Sequence, residues 1–191
     1  MAHRKRVSSA GESLVLVDDG DREIGFASKQ DCHTGAGTLH RAFSIFVFND
    51  RGELLLQQRS AEKLLWPNYW SNTCCSHPRA GETMEQAIER RLAEELGIRC
   101  PLRFLYKFKY HATYEAVGAE REYCWVYIGY HDGQPDVNLD EIADWRFIDF
   151  ESLDAELERK PEQFTPWFKL EWGELKANYL DDILSGARRT R

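Results

Sequence analysis

The chain carries Trp70-Ser71-Asn72-Thr73-Cys74-Cys75-Ser76-His77-Pro78, followed shortly by Arg90-Arg91-Leu92-Ala93-Glu94-Glu95-Leu96-Gly97. A thiol, an imidazole and a carboxylate-bearing segment stand close together in these two stretches. A thiol can carry a proton to or from carbon. An imidazole is the commonest nitrogen ligand for a metal. Carboxylates can hold a divalent cation against a diphosphate. Few structural needs bring all three together.

Backbone geometry sharpens this reading. Pro78 restricts His77 to an extended conformation. If Cys75 is extended too, Cys75 and His77 project to one side and Cys74 to the other. Glu120 and Glu122 open an apolar strand and share one face, so their charges repel unless a cation lies between them. The segment Thr83–Leu96 is the clearest helix. Thr83 and Gln86 have capping-box spacing, Gly97 stands at the stop position, and Met84, Ile88, Leu92 and Leu96 form the apolar face. Glu95 falls beside that face, one turn from Arg91, and Glu94 falls off to one side. Taken alone, Arg91 and Glu95 are an i, i+4 pair on a solvated face.

Other elements must hold these groups. Ser13–Val17 and Glu23–Ala27 read as a hairpin around Asp18-Asp19-Gly20-Asp21, and Lys29–Thr38 as a polar loop. Strands are predicted over 40–48, 53–58, 102–113, 121–131 and 144–148, and helices over 150–158 and 165–184. Residues 1–12 read as a disordered tail, 13–186 as one domain and 187–191 as a frayed end. The pattern is α/β, a sandwich around a mixed sheet.

With 191 residues, 42% hydrophobic and 13% aromatic, one globular core is expected. The formal charge of −7 argues against a general nucleic-acid binder. No apolar run is long enough to span a bilayer, and the basic start lacks the apolar core of a signal peptide. Cys32, Cys74, Cys75, Cys100 and Cys124 show neither a disulfide framework nor a CxxC pattern, which fits a reduced, cytoplasmic protein.

The spacing Ser76-x5-Glu82-x7-Arg90-Arg91-Leu92-x-Glu94-Glu95-x-Gly97-Ile98 resembles the Nudix box, in which a loop–helix–loop presents glutamates to a divalent metal and a diphosphate. Ser76 stands where that box opens with Gly, and Arg91 where it has Glu. An acid exchanged for a base removes a metal ligand and adds a phosphate partner, a change that points away from ordinary pyrophosphate hydrolysis. Joined to the nine-residue motif, the altered box resembles the type I isopentenyl-diphosphate isomerases over nearly the whole chain, from about Lys29 to Trp167.

The resemblance implies a Nudix-like α/β/α sandwich and a set of roles. His33, His40, His77, Glu120 and Glu122 would hold one Mn²⁺, Zn²⁺ or Mg²⁺. Glu95 and the Cys75 carbonyl would hold Mg²⁺ with the substrate. Lys29, Arg59, Lys63 and Arg91 would bind the diphosphate. Cys75 and Glu122 would be the acid–base pair, with Tyr110 assisting Glu122 and Trp167 facing a carbocation. The implied partner is a small allylic or homoallylic diphosphate, with no nucleic acid and no membrane, acting on a monomer. The competing readings are a Nudix pyrophosphohydrolase and a non-catalytic metal-binding module.

Overall fold

The strand Phe43-Ser44-Ile45-Phe46-Val47-Phe48 is buried along its length, and its side chains alternate between two cores. Phe43, Ile45 and Val47 pack to one side with Leu55, Ile88, Leu92 and Leu96. Ala42, Phe46 and Phe48 pack to the other with Leu54, Leu56, Phe168 and Trp172. A strand buried on both faces must be covered on both, and this fixes a sandwich with helices on each side of the sheet.

The computed structural model describes residues 4–189. The predicted ends at 1–3 and 190–191 lie outside the described residues. In order, the elements are β1 (Ser13–Val17), β2 (Glu23–Ser28), α1 (Lys29–His33), β3 (His40–Phe48), β4 (Leu54–Arg59), β5 (Trp70–Ser71), β6 (Cys74–Ser76), α2 (Met84–Leu96), β7 (Leu102–Tyr114), β8 (Gly118–Tyr130), β9 (Ile142–Ile148), α3 (Phe150–Arg159), a 3₁₀ turn (Pro161–Gln163), α4 (Pro166–Asn178) and α5 (Leu180–Arg189). The sheet is mixed. β3 runs parallel to β8, with His40 opposite Glu122 and Phe48 opposite Tyr130. It is antiparallel to β6, with Ser44 opposite Cys75. β7 and β8 form a long antiparallel hairpin that sets Tyr110 opposite Glu122.

Helix α2 forms as its sequence demands. The Thr83 side chain accepts from the Gln86 amide, and the Gln86 side chain accepts from the Thr83 amide. Gly97 closes the helix at φ 67°, where a Cβ would meet Asp136 at 3.0 Å.

Four expectations change. Residues 187–189, predicted as part of a frayed end, continue helix α5, with Ala187 buried. The stretch predicted as a loop from Lys29 opens with a short helix, capped by Ser28, whose hydroxyl accepts from the Asp31 amide. The last predicted helix is two, separated at Tyr179, where φ is −131° and ψ is 0°. Residues 4–12 are not a loose tail. Val7 is buried, the Lys5 backbone bonds both ends of the Asn138 amide, and Arg79 pairs with Glu12. No described helix is long and apolar enough to cross a membrane.

Candidate active site

One cavity of ≈ 710 Å³ opens over α1, the end of β6 and the start of β8. Its chemistry falls into three regions, each supplied by different elements.

The first region is a ring of imidazoles and carboxylates. The end of α1 delivers His33, the start of β3 His40, the exit of β6 His77, and the start of β8 both Glu120 and Glu122. One ligand atom from each lies within 4.8 Å of every other, and all five residues are buried. The three ring centroids are 4.8–5.2 Å apart. His33 Nδ1 lies 2.5 Å from the Lys29 carbonyl and His40 Nδ1 2.7 Å from the Thr38 carbonyl. A carbonyl only accepts, so both Nδ1 atoms carry the proton and both Nε2 lone pairs face inward. His33 Nε2 is 2.8 Å from Glu120 Oε2, and neither atom has a hydrogen bond partner. Buried acceptors set against each other in this way fit a divalent cation, and the mixed N/O donor set suits Zn²⁺, Mn²⁺ or Mg²⁺. Burial, then the neighbouring His40 and His33, holds His77 well below the usual histidine range, so it stays a neutral ligand. Burial opposes charge on His33 as well, but Glu120 outweighs it and the ring sits above its ordinary value.

The second region is basic. Lys29, Arg59, Lys63 and Arg91 border the cavity. Burial, then Lys63 and Arg91, lowers Lys29 to about 8. Arg91 is 2% exposed and pairs with Glu95 at 2.5 Å. The pair predicted for a solvated face therefore forms inside the protein. Arg91 also donates to the Val7 carbonyl at 2.9 Å. Glu141, which the sequence reading did not single out, contacts both Lys63 and Arg91. Burial works to raise this carboxyl, but those cations hold it at about 2. Glu94 pairs with Arg90 at 3.2 Å and lies farther from Arg91, at 3.8 Å. Glu95 itself stands one turn behind the cavity wall, its Oε1 paired with Arg91 without a well-directed hydrogen bond.

The third region is apolar and reactive. Cys75, Tyr110, Glu122 and Trp167 all face the cavity. Cys74 packs in the opposite core under α2, so the adjacent thiols do face opposite sides of the sheet. Burial pushes the Cys75 thiol up to about 12, against the pull of Arg59, whose Nη1 is 3.9 Å from the sulfur. The Tyr110 hydroxyl donates to Glu122 Oε2 at 2.5 Å, and Glu122 Oε1 lies 2.8 Å from His77 Nε2. Burial raises the Glu122 carboxyl, but His40 and Tyr110 outweigh it and the group sits below its usual range. The Tyr110 phenol is driven well up by burial and by Glu122. A proton-bearing thiol and an ionised carboxylate thus share one cavity, beside an indole whose Nε1 is buried without a partner.

Sequence reasoning missed Glu141 and also Glu171, a fully buried carboxyl on α4. Glu171 had a signal: it lies four residues after Trp167 on the apolar face of its helix. Glu141 sits in a loop and had none.

The NUDIX domain profile matches residues 38–168. A Photorhabdus laumondii protein named isopentenyl-diphosphate Delta-isomerase 1 is 42% identical over 174 residues, 90% of this chain and 99% of that one. A second from the same organism, isopentenyl-diphosphate Delta-isomerase 2, is 48% identical over 83% of this chain and 89% of its own. The isopentenyl-diphosphate Delta-isomerase of Burkholderia multivorans is 45% identical over 82% of this chain and 89% of its own. Among solved structures, a Deinococcus radiodurans protein superposes with a TM-score of 0.64 at 24% identity, covering 78% of this chain and 90% of that one. The MutT protein of Methanosarcina mazei gives 0.61 at 16%, covering 73% and 94%. These two likenesses speak to the fold. The sequence relationship goes further: within the Nudix-domain proteins, this chain belongs to the isopentenyl-diphosphate Delta-isomerase family.

Proposed function

We propose that the protein interconverts isopentenyl and dimethylallyl diphosphate, with Cys75 and Glu122 as the acid–base pair. The observation that carries this reading is the meeting of Cys75, the Tyr110–Glu122 pair and Trp167 in the cavity that also holds four basic side chains. The diphosphate sits against Lys29, Arg59, Lys63 and Arg91, and the five-carbon tail reaches toward Trp167. One group adds a proton to the terminal methylene carbon, leaving a tertiary cation, and the other removes a proton from the internal methylene. Tyr110 holds the Glu122 carboxyl and passes it protons. The Trp167 indole faces the cation, a contact worth roughly 0.5–2 kcal/mol. The buried walls exclude water, which would otherwise capture the cation.

Two ions belong to this reading. His33, His40, His77, Glu120 and Glu122 would hold one Mn²⁺, Zn²⁺ or Mg²⁺, which would supply Lewis-acid polarisation at the Glu122 carboxyl. Glu95 and the Cys75 carbonyl would hold Mg²⁺ with the diphosphate, with Glu95 Oε1, now against Arg91 without a well-directed hydrogen bond, turning to the ion. The protein acts as a single-domain cytoplasmic monomer on a small-molecule substrate, without nucleic acid or membrane.

Incubation with isopentenyl diphosphate and Mg²⁺ tests the reading. Dimethylallyl diphosphate without free phosphate is the expected product. Released phosphate would identify a pyrophosphohydrolase, and binding without turnover a metal-binding module.

A further inference from the structure

Glu171 is fully buried, yet no cation among the described residues pairs with it. It lies on α4, one turn after Trp167. The Cys124 thiol donates to its Oε1 at 3.5 Å, the same sulfur lies 3.5 Å from the Ser44 hydroxyl, which stands beside the carboxyl, and Oε2 has no partner. Burial pushes the group up to about 8, with Ser44 and Cys124 pulling the other way, so it keeps its proton at neutral pH. This avoids the heavy cost of an unpaired buried charge.

These two neighbours are specific in place. Cys124 is on β8, two residues beyond Glu122 and on the same face. Ser44 is on β3, directly opposite Cys75 of β6 and Val126 of β8. The other end of the Trp167 turn is anchored as well: the Thr165 amide donates to the Trp70 carbonyl, and the Thr165 and Ser71 hydroxyls are 2.9 Å apart. Trp167 therefore sits between two anchors, and the second ties its helix to β8, which carries Glu122, and to β3, whose Ser44 pairs with Cys75 of β6.

We infer that Glu171 is a positioning residue for the reaction: its bond from Cys124, which itself rests against Ser44, sets the height of the Trp167 indole over the carbons that lie between Cys75 and Glu122. This rests on the isomerase reading above. A neutral carboxyl serves here because the task is hydrogen bonding, not charge. Glutamine should therefore replace it, and leucine, of similar bulk, should not.

The test compares Glu171→Leu and Glu171→Gln with the unaltered protein. In Glu171→Leu, kcat should fall about 10- to 100-fold, the scale of a small misplacement of a reacting group. KM should hold, because the basic side chains stand on other elements. An indole out of place should also admit water. Water adds to the tertiary cation and loses a proton, so the tertiary-alcohol diphosphate should rise relative to isomerised product. Simple loss of folded protein would lower both products together and leave their ratio fixed. Glu171→Gln should recover most of kcat and the normal ratio.

Three results would overturn the inference. They are a normal kcat and ratio in Glu171→Leu, an unchanged ratio with reduced kcat, or a Glu171→Gln protein as impaired as Glu171→Leu. If Glu171→Leu fails to bind inorganic pyrophosphate and so is not folded, Cys124→Ala, which removes the donor from the other side, decides between the same outcomes. Absence of isomerisation by the unaltered protein would overturn the isomerase reading itself, a failure distinct from these.

Discussion

The Arg59 guanidinium lies over the Trp167 indole, 5.2 Å from the ring centroid, while its Nη1 reaches the Cys75 sulfur. The indole face proposed to meet the carbocation already faces a guanidinium, and that guanidinium also leans on the thiol. Arg59 is held there by the Trp66 and Leu65 carbonyls at 3.0 and 2.8 Å. Those two acceptors sit in a loop where Trp66 adopts φ 48°, so the loop and the guanidinium fix each other.

Arg59→Lys should not rescue Arg59→Ala. A single ammonium cannot donate to both carbonyls and still face the diphosphate. Both variants should raise the KM for isopentenyl diphosphate about tenfold or more, the scale of one lost charge-assisted hydrogen bond. Steady-state kinetics check this. A lysine variant with the normal KM would show that charge alone is used.

Cys75→Ala should abolish turnover and leave inorganic pyrophosphate binding intact, since the thiol faces the apolar end of the cavity. Cys74→Ala should cost about 1 kcal/mol, as for a modest cavity, and leave the rate near normal. A five-carbon epoxide analogue should label Cys75 alone, read by mass spectrometry of the labelled peptide. Label on Cys74, or inactivation by Cys74→Ala without unfolding, would place the reactive thiol one residue earlier.

His77, Glu120, Glu122 and the separation of the two thiols were legible from local rules, whereas His33 and His40 entered the proposed metal site only through the family resemblance. Pro78 fixes the backbone at His77, and strand alternation pairs Glu120 with Glu122 and separates Cys74 from Cys75. Helix α2 announced itself through Thr83, Gln86 and Gly97. The break at Tyr179 carries no proline or glycine, so nothing local marks it. Residues 4–12 are polar and aperiodic; they are ordered by long-range bonds from Asn138, Arg79 and Arg91, which no local pattern encodes. Glu141 likewise acquires its role only when the fold brings a loop against Lys63 and Arg91.

Lys29 gives a pH signature. Its pKa falls from the usual lysine value to about 8 on folding. Between about 8 and 10.4 the unfolded chain therefore binds the extra proton, so this group's destabilising contribution, full below 8, is relieved as pH rises through that window. Pyrophosphate binding should move the opposite way, because the ammonium that attracts the anion is lost above 8. Calorimetric titration of pyrophosphate against pH should show a break near 8 in the unaltered protein and none in Lys29→Met. The same break in both would assign it to another group.

Glu122→Gln should lower the rate more than Glu120→Gln at equal metal content. Both residues face the imidazole ring, but only Glu122 also receives the Tyr110 hydroxyl. Chelation should lower the thermal midpoint of the unaltered protein, because it leaves two carboxylates facing one another in a buried site. Rates measured beside metal analysis decide the comparison. Equal losses in the two variants would remove the special role from Glu122.

Arg91→Glu would bring the box closer to the usual Nudix pattern, yet the structure predicts a damaged protein in place of a hydrolase. Arg91 is buried, and burial is outweighed by Glu95 and Glu141, which hold its guanidinium firmly charged. Exchanging it for a carboxylate would set three acids together and remove the donor to the Val7 carbonyl. Removing one partner of a buried pair costs about 3–5 kcal/mol, a large share of the stability of an ordinary domain. Urea unfolding should show a loss of that size, with residues 4–12 becoming open to proteolysis. The milder Arg91→Gln keeps a donor, adds no acid, and should raise the KM while leaving most of the stability. If Arg91→Glu unfolds within about 1 kcal/mol of the unaltered protein, the N-terminal segment must lift away and let water reach the three carboxylates, and the buried network around Arg91 is not what fastens that segment down.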